Sequence, residues 1–131
     1  MSEETQTDTP LRDFAGPAGL IIGLFCASVS AVHLLLALFP LLSDFDRNVL
    51  HFGSFAILAG ALYPLSQRTS WKRGALGFAA DFGLGLLAAF SGLWFILHEE
   101  RLYGATQPFT ALDFFFAVAL VVCAAELTRR V

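Results

Sequence analysis

Apolar residues run along this chain in four long stretches separated by short polar breaks. The first extends from about Pro17 to Phe39, holds no formal charge, and has His33 as its only strongly polar side chain. The second runs from about Asn48 to Leu65. The third runs from about Gly74 to Leu97 and is interrupted by Asp81, and the fourth, from about Thr110 to Leu127, carries Asp113 and Glu126 near its ends. About 20 mainly apolar residues are needed to cross roughly 30 Å of hydrocarbon as a helix. Each stretch therefore predicts a transmembrane helix, the second and fourth with an added turn or a locally thinned bilayer. The expected fold is an all-α membrane protein of four transmembrane helices over residues 17–131. Residues 1–16, acidic and threonine-rich, predict a disordered N-terminal segment. They lack the basic start of a secretory signal, and the first apolar stretch is longer than a signal's apolar region, so it is read as a retained membrane helix.

Helix starts are legible too. Thr110-Ala-Leu-Asp113, just after Pro108, has capping-box spacing, and Ser43-Asp-Phe-Asp46 has the same form ahead of the second stretch. Orientation follows from Lys and Arg placement. With four spans, Arg12, Arg68, Lys72, Arg73, Arg129 and Arg130 share one side, and Arg47 and Arg101 the other. Both termini are then expected in the cytoplasm. Tyr63 and Trp71 fall at the inner boundary and Trp94 and Tyr103 near the outer one, depths that amphipathic rings prefer.

Composition sharpens this picture. Of 131 residues, 56% are hydrophobic and 15% charged, against roughly 45–50% and about 25% in soluble domains. Mean hydropathy is +0.68. A net charge of −3 offers no basic surplus for nucleic acid, and the apolar content excludes a disordered chain. The length allows one domain.

Candidate chemistry is sparse. Ser and His never stand with a third catalytic partner, and no glycine-rich phosphate loop is present, so no enzyme and no resident cofactor or metal is expected. Cys26 and Cys123 read as small apolar packing residues near the cytoplasmic side, where a disulfide is disfavoured. Ionisable groups inside a membrane default to function. His33 is open to three readings: contact with a partner subunit, haem ligation, or a neutral hydrogen bond to a nearby helix. His51, one turn into the second stretch, reads as an interfacial structural residue. Asp81 has no i,i+4 partner and is expected to bond to another helix. Asp113 reads as a capping residue, and Glu126 with Arg129 and Arg130 as an ion-pair set ending the last helix. Gly77, Asp81, Gly85 and Ala89 recur at four-residue steps and predict a close helix–helix contact, within the chain or with a partner.

Three rival readings are consistent with the size, the third being a structural membrane protein of an unrelated type. One is a membrane cytochrome with His33 and His51 as axial haem ligands, disfavoured by a depth mismatch of roughly 5 Å. Another is a self-assembling four-helix exporter, though no carboxylate sits at the centre of the first stretch. An ion-coupled transporter binds its solute near the midplane, often at broken helices, and no pair of half-helices is visible here.

Several motifs carry a family resemblance. Arg47-Asn-Val-Leu-His51-Phe followed by Leu62-Tyr63-Pro64 resembles the early part of the membrane component of TRAP (tripartite ATP-independent periplasmic) transporters. Asp81, then Glu100-Arg-Leu-Tyr-Gly104, Pro108-Phe-Thr-Ala-Leu-Asp113 and Ala125-Glu-Leu-Thr-Arg-Arg130 resemble the segment before the large permease in the TAXI type. Phe109 interrupts the family's Pro-Thr pair, and Leu127 replaces an alanine. In the family this region is usually fused to the large permease. A chain ending at Val131 is expected to be a free-standing small subunit, similar to the four-helix Q-type subunits. The resemblance implies ion-coupled uptake of an organic acid or amino acid across a bacterial inner membrane. The partners it implies are a large M subunit, which holds the solute and the coupling sodium or proton, and an extracytoplasmic solute-binding protein. It implies helix-anchoring or subunit-contact roles for Arg47, His51, Asp81, Arg101, Asp113, Glu126 and Arg129. The glycine face adds Gly77 and Gly85. Arg47, Glu99, Glu100 and Arg101, on the outer side, are candidates for docking the binding protein.

Overall fold

The computed structural model describes residues 12, 14–64, 74–104 and 107–130. The acidic tail (apart from Arg12 and the residues that lead into the first helix) and the basic loop with Arg68, Trp71, Lys72 and Arg73 lie outside the described residues. Five helices follow one another: α1 (Gly16–Leu38), α2 (Asp44–Leu62), α3 (Ala75–Leu97), α4 (Glu99–Tyr103) and α5 (Ala111–Arg130). Three of them, α1, α3 and α5, are long and apolar enough to cross a membrane. Large apolar side chains such as Leu20, Ile21, Phe90, Phe114 and Val121 stand exposed, as a lipid-facing surface requires.

The ends of the helices have local causes. Gly16 enters α1 at φ 63°, a left-handed value that favours glycine, and a proline stands in the first turn. Phe39 and Tyr63, the residues ending α1 and α2, are extended and each precedes a proline, which clashes with a helical residue before it. At the start of α2 the Ser43 hydroxyl accepts from the Asp46 N–H at 3.0 Å. α2 therefore starts at Asp44, four residues earlier than apolar content alone predicts. Its first turn holds Asp44, Asp46 and Arg47, and it is not among the helices apolar enough to span.

α2 and α3 pack most closely. A Cβ on Gly60 would lie 2.5 Å from the Asp81 carbonyl oxygen, and one on Gly85 2.5 Å from that of Ala56. Gly53 lies against Ala89, and Gly92 against Val49. The small-residue face of α3 is thus buried within the chain, against α2. Gly77 is buried at its start. α5 packs on α3 and also meets α2, and Cys123 and Leu127 join Ala56 and Ala88 in a small core. α1 differs from the rest: it has no buried residue, and it meets only α2 among the described helices.

Candidate functional site

The ionisable residues gather at the two ends of the α2–α3–α5 body. At one end Asp81, 2% exposed, faces across from α3 to α5. Its Oδ1 accepts from Arg130 Nη1 at 2.8 Å, and its Oδ2 accepts from Arg12. Arg130, itself 4% exposed, also donates through Nε to Glu126 at 2.9 Å. Arg129 holds the same carboxylate with two bonds, of 2.9 and 2.8 Å. The predicted Glu126–Arg129–Arg130 set exists, but it is one limb of a larger network and not a free surface pair. Asp81 bonds to another helix, as expected.

Arg12, within the acidic N-terminal segment, caps α2. The last carbonyls of a helix have no partner inside the helix. Here the Arg12 guanidinium donates to the carbonyls of Gly60 and Ala61 at 3.3 and 3.1 Å, and its backbone N–H to that of Leu62 at 2.9 Å. It also lies over the Phe78 ring at 5.3 Å. One residue thus joins the end of α2 to α3, and a positive charge at a helix C-terminus suits the helix dipole.

At the other end Asp113, 4% exposed, accepts from donors on three elements. Arg101 of α4 grips it with two bonds, at 2.9 and 2.6 Å. Trp94 Nε1 of α3 donates at 3.0 Å. Thr110 donates through its N–H at 2.6 Å and its hydroxyl at 2.8 Å. The Thr110 hydroxyl in turn accepts from the Asp113 N–H at 3.3 Å, which completes the reciprocal capping box. Asp113 thus caps α5 and also ties α3 and α4 to it. The hydrogen bonds from Arg101 to Asp113 raise the guanidinium above its ordinary pKa, so it stays charged.

This changes the docking set. Arg101 is held inward by Asp113, with its side chain 20% exposed. Glu100 remains exposed and Glu99 half-exposed. Arg47 pairs at 2.7 Å with Asp44 on the exposed first turn of α2.

His33 and His51 are brought together, with ring centroids 4.5 Å apart and planes at 72°. The expected depth mismatch shrinks because α2 begins at Asp44, which sets His51 further from its helix start. Rings this close and nearly perpendicular leave no space for a porphyrin plane between them, which argues against the haem reading. No group of three or more metal-ligating side chains forms among the described residues. Cys26 and Cys123 are free thiols. The residues sequence reasoning missed are long-range partners: Arg12 for Asp81, and Trp94 and Arg101 for Asp113. No known family model matches this sequence, and no curated protein or solved structure is similar to it.

Proposed function

We propose that this chain is the small accessory membrane subunit of a TRAP transporter of the TAXI type. One observation carries the reading. The charged residues of the motifs that resemble the family meet one another across helices: Arg101 with Asp113, and Arg130, itself paired with Glu126 on its own helix, with Asp81. In this reading they weld a rigid scaffold and bind neither solute nor ion. Close glycine packing of α2 on α3 serves the same end. α1, with no buried residue, offers its length to lipid or to a large M subunit.

The proposed topology has four spans in a bacterial inner membrane and cytoplasmic termini, with α2 as the fourth span. α2 is short of apolar residues only at its charged first turn, and the basic residues favour the side that holds the termini. Solute and coupling sodium or proton belong to the large subunit, and the binding protein approaches the side of Arg47, Glu99 and Glu100.

Deleting the chain from its native host tests this. The expected result is loss of binding-protein-dependent uptake of labelled glutamate and dicarboxylates, restored by re-expression. Uptake unchanged across that solute class would contradict it.

A further inference from the structure

The His33–His51 contact lies outside both ion-pair networks, and it has an unbalanced hydrogen-bond count. His33 Nδ1 lies 2.7 Å from the Val29 carbonyl oxygen. A carbonyl only accepts, so Nδ1 carries the hydrogen and Nε2 is a bare acceptor. That Nε2 is buried and has no hydrogen-bond partner among the described residues. Beside it stands the His51 ring, and Phe55, one turn further along α2, closes the group at 4.6 Å from His51 and 6.1 Å from His33. An imidazole acceptor with no donor, next to a second imidazole, is a place for a proton. Protonating both rings sets two positive charges about 4.5 Å apart.

Little stands nearby to neutralise them. α1 carries no other charged residue, and among the described residues no helix but α2 meets it. On α2, Arg47 lies one turn before His51 and is itself positive, and Asp44 is paired with it. Asp46 lies five residues before His51, on a different face. The charged groups of α3, α4 and α5 that bond across helices, Asp81, Arg101, Asp113, Glu126 and Arg130, are held in the two end networks. His98, at the end of α3, is stacked on Trp94.

We propose that His33 and His51 form a proton-operated latch, which docks α1 on α2 when both rings are neutral and releases it when both are protonated. α1 has no buried residue and among the described helices meets only α2, so loosening this contact lets its middle and C-terminal part move while Arg12 and the Phe14–Phe78 contact hold its entrance. The latch goes beyond the transporter reading and stands or falls separately from it.

The test is a distance between spin labels at Ala31→Cys on α1 and Leu97→Cys on α3, both exposed positions. The full chain is used in nanodiscs on a Cys26→Ala background, Cys123 being buried. The pH is stepped from about 8 to about 5. Across that range the expected result is a longer or broader distance, by about one helical turn (~5 Å) or more. In His33→Phe/His51→Phe the distance should stay at its neutral-pH value throughout, and so should it in His51→Gln, which keeps a neutral polar group. A wild-type distance that ignores pH overturns the latch. So does a shift that persists in the double variant, which would assign it to carboxylates.

Discussion

Asp113 shows how much one side chain can organise. Its carboxylate takes five donors from Arg101, Trp94 and Thr110. Removing it leaves a cation and an indole N–H without their partner beside an apolar core, and an orphaned buried group costs more than a lost surface pair. Asp113→Ala should therefore lower the melting temperature in detergent far more than Arg47→Gln, whose exposed pair with Asp44 contributes little. Equal shifts would contradict the assignment. Because the pair raises the Arg101 pKa above its ordinary value, its contribution is fully present below that ordinary value and is lost only as pH climbs beyond it. Melting at about pH 10 should match that at about pH 8, where the guanidinium is still charged. Asp81→Ala at the other end breaks buried pairs with Arg130 and Arg12, a loss of about 3–5 kcal/mol. Arg12→Ala should reproduce part of that loss, measured by chemical denaturation in mixed micelles. A stable Arg12→Ala protein would mean that the cap on α2 is incidental.

At the scale of the helices, close approach of α2 and α3 rests on missing side chains. A methyl at Gly60 or Gly85 meets backbone at 2.5 Å, and backbone cannot step aside as a flexible side chain can. Gly85→Ala should cost about 1–3 kcal/mol by overpacking. Gly83→Ala is the control. Nothing lies within 4 Å of its added Cβ, so it should be neutral or gain up to about 1 kcal/mol in helix propensity. If both variants lose stability alike, the contact is not set by glycine. The four-residue spacing of Gly77, Asp81, Gly85 and Ala89 made this face legible in the sequence, because a helix repeats its faces at that interval. The apolar stretches likewise marked α1, α3 and α5 to within a few residues. The start of α2 was harder to see from hydropathy, since its first turn is charged, although Ser43 gave the capping signal. α4 is invisible because five residues, Glu99 to Tyr103, are too few to carry a period. α5 runs on to Arg130 because ion pairs, and not apolar content, hold its last turn.

Across the whole molecule, local pattern carried the elements but not their joints. Asp113 was legible as a cap because Thr110 is three residues away. Its bonds to Trp94 and Arg101 were not, because they span 19 and 12 positions. Arg12 and Asp81 are 69 positions apart, and nothing in either local sequence names the other. What emerges is a body of α2, α3 and α5 clamped at both ends by buried ions, with α1 attached along one side. A self-contained carrier needs parts that move around a site. This body has its charges fixed in its joints, which suits a stationary support for a larger moving partner. The direct measurement is co-purification. The chain, tagged at its C-terminus, is extracted from native membranes in mild detergent, and the mass of the complex is determined. A large polytopic partner at one-to-one stoichiometry is expected. A homo-oligomer alone, in a detergent that preserves other membrane complexes, would contradict it.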